Sequence, residues 1–184
     1  MSKYTVGEPI IFLDIDGVLN RHNFDILAGS CIIDQALVQI FNRILIVTNC
    51  KIVLSSAWRY IIYRKETNLV GLDWLLRSHG LVGHRLIDVT PEDTMVPNYN
   101  GMTLKEFPLE NERGIQIERW LKINDPNSYS PYVVLDDGGF DNNKQWTDLG
   151  IIECGHPTVW THPTMGITHA NADDAIAILQ GRQQ

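Results

Sequence analysis

A chain of 184 residues, 44% apolar and 20% charged, is long enough for one domain with a substantial core and has the balance of a globular protein. Its formal charge of -7 opposes general attraction to nucleic acid, and no apolar run reaches the roughly 18 residues that a membrane helix needs. Three cysteines (Cys31, Cys50 and Cys154) with no Cys-x-x-Cys pair fit a reducing cytosol, and no signal-like apolar segment precedes the first candidate strand, so a cytoplasmic protein without membrane contact is expected.

Residues 10–13 form an apolar run ending in Asp14-Ile15-Asp16-Gly17, which reads as a buried strand followed by a turn. Residues 34–48 carry apolar side chains at helical spacing, with Asp34 as N-cap. Residues 51–54 are a second buried strand ending in Ser55-Ser56. Residues 69–79 read as a helix closed by Gly80, and 85–89 as a third strand. Residues 91–110, with three prolines, read as a long loop or small insertion. A helix over 112–123 shows the stripe Ile115, Ile117, Trp120, Leu121 and Ile123. Residues 131–135 form the next strand and end in Asp136-Asp137. A short fifth strand is expected over 151–154, and a last helix over 171–179, capped by Asn171 or Asp173. There is no internal repeat. Strands alternating with helices predict an α/β fold: one domain spanning 1–184, Rossmann-like, a parallel sheet with helices on both faces.

In such sheets ligands bind beyond the carboxyl ends of the strands. Three apolar strands here end in Asp14/Asp16, Ser55/Ser56 and Asp136/Asp137, and carboxylates after apolar strands are poor choices for packing alone. Along an extended backbone, residues two apart point the same way, so Asp14 and Asp16 can address one site. Two such charges about 4 Å apart repel by roughly 1–4 kcal/mol, so a cation must offset them. Oxygen ligands from Asp14, Asp16, Asp136 and Asp137 suit Mg²⁺. That chemistry allows a phosphoryl transfer in which Asp14 is the nucleophile and Asp16 the acid and base. Ser55 donates to a phosphate oxygen, and a Lys or Arg neutralises developing charge.

These residues resemble the haloacid dehalogenase (HAD) superfamily of phosphohydrolases. The first motif is Asp14-Ile15-Asp16-Gly17-Val18-Leu19-Asn20, the second Ser55, and the fourth Val133-Val134-Leu135-Asp136-Asp137, with Asp141 as an outer acid. For the basic third motif the resemblance offers Arg113 or Lys105. Leu54-Ser55-Ser56-Ala57-Trp58-Arg59 is similar to the Ser-Ser-x-Trp-Arg segment of HAD domains in Swiss Army Knife RNA-repair proteins. Arg113-Gly114-Ile115, Trp120-Leu121 and the tail from Trp160 through Gly166-Ile167-Thr168 to Leu179 continue the likeness. It implies a minimally capped HAD fold and a Mg²⁺-dependent phosphatase. Val18 stands where many HAD phosphatases have Thr, as is usual in this subgroup.

Only about 35 residues separate Asp16 from Lys51, and the helix at 34–48 uses nearly half, so no sizeable cap fits there. An open site admits a nucleotide or a nucleic-acid end, and such a phosphorylated small molecule or polynucleotide terminus is the expected partner. Ser56, Arg59 and Asn20 are candidate substrate contacts. Arg59 holds a phosphate or makes a salt bridge, and Trp58 stacks on a base or packs in the core. Arg59, Arg64, Lys65, Arg77 and Arg85 leave room for a local basic groove. Cys154, His156 and His162 match no zinc spacing, so no zinc is expected. Two alternatives stand beside the phosphatase: a non-catalytic phosphate- or partner-binding module, and a phosphatase of phosphoproteins or sugar phosphates.

Overall fold

The computed structural model describes residues 4–21, 33–91, 113–138, 140–141, 144–145, 151–152 and 154–182. Five parallel strands make the main sheet: β1 (Ile10–Leu13), β2 (Lys51–Leu54), β3 (Leu86–Val89), β4 (Tyr132–Asp136) and β7 (Thr158–Trp160), in the order β3-β2-β1-β4-β7. A two-stranded antiparallel ribbon, β5 (Phe140–Asp141) with β6 (Lys144–Gln145), follows β4. The helices are α1 (Gln35–Thr48), α2 (Arg59–Tyr63), α3 (Leu69–Ser78), α4 (Arg113–Asn124) and α5 (His169–Leu179).

β1 is central and buried on both faces, which is why it reads as an unbroken apolar run rather than an alternation. Its side chains divide between two cores. Ile11 and Leu13 join Leu37, Phe41, Leu45, Leu72, Leu76, Ala172 and Ala175 under α1, α3 and α5. Ile10 and Phe12 join Val53, Ile117, Trp120 and Val134 under α4, where the Phe12 and Trp120 rings meet edge to face at 5.5 Å. Burying each such side chain contributes ~1.5–3 kcal/mol. Helices thus cover both faces, as the alternating pattern predicts. No helix among the described residues is long and apolar enough to cross a membrane.

Asp34 caps α1 as expected, its carboxylate accepting the Ala36 N–H at 2.8 Å. Two expectations fail. Ile151 and Ile152 are helical, not a strand, and Ile151 alone is buried while Ile152 is 49% exposed. The fifth strand is Thr158-Val159-Trp160, started by Pro157, whose carbonyl accepts the Val134 N–H at 2.8 Å. The last helix begins earlier than expected and is capped by Thr168. Asn171 is its third residue, and the two side chains accept each other's backbone N–H in a capping box. The short α2 after Ser56 had no signal in apolar periodicity. Lys105 and nearly all of 91–110 lie outside the described residues, as does the side chain of Asp141.

The chain fills β1, β2 and β3 outward on one side, then crosses to β4 and β7 on the other. The reversal falls between β1 and β4, and a crevice at such a switch point is where α/β sheets bind ligands.

Candidate active site

Strand register builds the site. Leu13 stands level with Leu54 on one side and Leu135 on the other. The next residues, Asp14, Ser55 and Asp136, therefore leave the sheet side by side. The Asp14 N–H donates to Leu135 O at 2.9 Å and the Ser55 N–H to Leu13 O at 2.8 Å, so the ladder continues to the site itself. Asp14, Ser55, Asp136 and Asp137 are all buried.

Arg113, the first residue of α4, reaches this cluster from above the sheet. Its Nη1 donates to Asp14 Oδ2 at 2.6 Å and to Asp136 Oδ2. Burial works against its charge, but the two carboxylates outweigh that and hold its pKa well above the usual value. Burial likewise pushes the Asp136 carboxyl up, to about 6, against the pull of Arg113 and with the neighbouring Asp14 charge adding to the rise. The start of α4 is itself anchored. The His156 ring donates from Nε2 to Gly114 O at 2.8 Å, leaving Nδ1 to accept the Tyr132 hydroxyl at 3.0 Å.

One carboxylate oxygen from each of Asp14, Asp136 and Asp137 can be chosen so that all three lie within 4.8 Å of one another. Three buried carboxylates gather here, two of them bonded to Arg113, an arrangement that favours further positive charge. The donors are hard oxygens, which fit Mg²⁺ rather than a softer metal. Gly17 explains how Asp137 comes so close. A Cβ on Gly17 would stand 2.1 Å from Asp137 Oδ2, and its φ of +69° also favours glycine. The glycine of Asp-x-Asp-Gly is thus the space into which Asp137, the residue after β4, fits its carboxylate.

Asp16 lies past the end of β1, where the chain turns, with Val18 N–H and Leu19 N–H both donating to Ile15 O, and its carboxylate is not one of the three that come within 4.8 Å of one another. Asp16 instead accepts from Asn20 Nδ2 at 2.7 Å and from Trp58 Nε1 at 3.1 Å on each oxygen. Asn20 is 4% exposed and has both ends committed, its Oδ1 accepting the Gly17 N–H at 2.9 Å. It braces the loop at Asp16 and Gly17. Trp58 packs on the core and still presents its N–H to Asp16, so it serves both structure and site. Ser56 closes the turn before α2, its Oγ accepting the Trp58 N–H at 3.3 Å. Arg59 is buried beneath that turn, its Nη1 donating to Ser56 O at 2.9 Å.

The tail also reaches the site, which the sequence did not indicate. Thr161 Oγ1 donates to Gly17 O at 2.8 Å and the Thr161 N–H to Asp136 O at 2.9 Å. The Ile167 N–H donates to Val18 O at 2.9 Å. The two aspartate-bearing strands are therefore tied together by the segment after β7. The basic groove does not form as one surface: Arg85 precedes β3, at the opposite end of the strands, and bonds Asn49, while Arg77 bonds His84.

Carboxylates and a serine at the carboxyl ends of adjacent parallel strands, on a sheet in this order, define a Rossmann-like α/β domain of the HAD type. The chain belongs to the family described as the HAD domain in Swiss Army Knife RNA repair proteins, whose model matches residues 10–172. No curated protein and no solved structure matches it. Membership carries a HAD-type, phosphatase-like function.

Proposed function

We propose that the protein is a Mg²⁺-dependent phosphomonoesterase acting on nucleotides or nucleic-acid ends through an aspartyl-phosphate on Asp14. The observation that carries this reading is the setting of Asp14: buried, level with Ser55 and Asp136, with its Oδ1 accepting the Ile15 N–H at 2.7 Å and its Oδ2 fixed by Arg113. A carboxylate so restrained is oriented before substrate arrives, and orientation is a large part of catalysis.

Asp14, Asp136 and Asp137 would hold Mg²⁺, which would supply the positive charge that lets an anionic carboxylate approach an anionic phosphate. An Asp14 oxygen attacks phosphorus, and the bond from phosphorus to the ester oxygen breaks. Asp16, held by Trp58 and Asn20, gives its proton to the departing oxygen. It then takes a proton from the water that attacks the acyl phosphate, releasing inorganic phosphate and restoring Asp14. The Ser55 hydroxyl, fully buried and without a partner among the described residues, is available to a phosphoryl oxygen.

The substrate class rests on two supports. The family is described by its place in RNA repair proteins, and the stretch between Asp16 and β2 has little room for a cap beyond α1. The charge of -7 favours engagement of an end over binding along a backbone. A panel of 3′-phosphorylated oligonucleotides, nucleoside 3′- and 5′-monophosphates, sugar phosphates and a phosphopeptide, each with Mg²⁺, tests the class. The reading expects the nucleic-acid and nucleotide members to have the highest kcat/KM. Preference for a sugar phosphate or the phosphopeptide would overturn it.

A further inference from the structure

Arg113 and Arg59 both act on the charge balance around Asp14, but only Arg113 has carboxylate partners. Arg59 is 5% exposed, and no carboxylate pairs with it among the described residues. Its Nη1 meets the Ser56 carbonyl, its Nη2 is 3.4 Å from the Tyr60 hydroxyl, and its Nε has no partner among the described residues. The guanidinium lies 4.8 Å from the centroid of the Tyr60 ring. Burial lowers its pKa, and the charges of Arg113 and Asp14 are both near enough to act on it.

A buried cation without a counterion costs several kcal/mol even after relaxation. A cation–π contact returns too little to offset that cost. Four residues earlier, Ser55 presents a fully buried hydroxyl with no partner among the described residues. Two unsatisfied buried groups, one a cation and one a hydroxyl donor, thus occupy the same end of β2, beside Asp14.

We propose that Arg59 and Ser55 together form the seat for the dianionic phosphoryl group of a phosphomonoester, with Arg59 supplying the positive charge that Arg113 has already committed to Asp14 and Asp136. The two arginines divide the labour. Arg113 neutralises the enzyme's own carboxylates, and Arg59 neutralises the ligand. A planar guanidinium with a free Nε can donate to a tetrahedral oxyanion along an edge, which a lysine cannot reproduce. The proposal rests on the reading of Asp14 as the reacting end of the site, but it does not require turnover.

The test is the affinity for inorganic phosphate, measured by calorimetry with Mg²⁺ present, for wild type, Arg59→Met, Arg59→Lys and Ser55→Ala. Methionine keeps much of the apolar stem and removes the charge. The expected result is phosphate binding weakened by roughly tenfold or more in Arg59→Met, as for loss of a charge-assisted contact, with a smaller loss in Ser55→Ala. Arg59→Met is also expected to be at least as stable as wild type without phosphate, because an unpaired buried charge is gone. Phosphate affinity within twofold of wild type in Arg59→Met overturns the proposal. If that variant does not fold, unchanged affinity in both Arg59→Lys and Ser55→Ala overturns it equally. Phosphate binding that depends on Arg59 in a protein that hydrolyses no monoester would sink the catalytic reading alone.

Discussion

The indole N–H of Trp58 donates to both carboxylate oxygens of Asp16, at 3.1 Å each, and Asn20 Nδ2 adds a third hydrogen bond at 2.7 Å. Asp16 is thereby oriented by three hydrogen bonds, the setting in which the proposed reaction gives it the proton transfers. Trp58→Phe keeps the packed ring and deletes the donor. General acid catalysis contributes about 10²–10⁴-fold, so kcat/KM for an alkyl phosphate such as a nucleotide should fall by roughly tenfold or more. For an aryl phosphate with a good leaving group, which needs no proton, kcat/KM should change little. Equal losses on both substrates would show that Trp58 acts through folding instead.

Arg113→Ala removes the cation bonded to both Asp14 and Asp136. Loss of one partner of a buried pair costs about 3 kcal/mol or more. Urea unfolding without Mg²⁺ should show that loss, and saturating Mg²⁺ should recover part of it. A loss that Mg²⁺ does not reduce would mean that the metal does not share this site.

Gly17→Ala places a methyl group where Asp137 Oδ2 now lies, 2.1 Å away, at a φ of +69°. Either the carboxylate moves or the loop does. The expected outcome is stability lower by about 1–3 kcal/mol and Mg²⁺ affinity weaker by more than the strain alone explains. Calorimetric titration with Mg²⁺ on the folded variant separates the two effects, and wild-type affinity would show that Asp137 is not a ligand.

The Asp136 carboxyl is raised from the ordinary 3.8 to about 6, chiefly by burial. A carboxyl that binds its proton more tightly when folded contributes stability that is fully present below its unfolded pKa and lost as pH rises through the folded one. The metal-free protein should therefore lose stability between about pH 4 and 6 from this group. Mg²⁺ competes with that proton, so the Mg²⁺-induced rise in Tm should be small at pH 5 and full at pH 7. A rise independent of pH over that range would contradict the coupling.

Much of this architecture is visible in the chain. The runs before Asp14, Ser55 and Asp136 are apolar without alternation because all three strands are buried on both faces, and their polar last residues mark the functional edge. Asp34 is legible as a cap because capping is a local contact. Contacts between distant segments are not. Thr161 meets Gly17 across 144 positions, and nothing in the sequence around either residue signals the other. Trp58 reads as core or stacking surface because periodicity reports burial, not what an indole N–H touches. Asp16 lies past the end of β1, so the extended-strand rule does not describe where its side chain goes. Thr158–Trp160 was missed because a three-residue strand offers too little pattern, and Ile151-Ile152 competed for the assignment.

The central claim is that Asp14 becomes phosphorylated. Protein mixed with a phosphomonoester and Mg²⁺, acid-quenched within one turnover and digested, should yield a single phosphorylated peptide spanning residues 10–20, with phosphate on Asp14, and Asp14→Asn should yield none. Phosphate on another residue, or phosphate release by Asp14→Asn at the wild-type rate, would contradict the account.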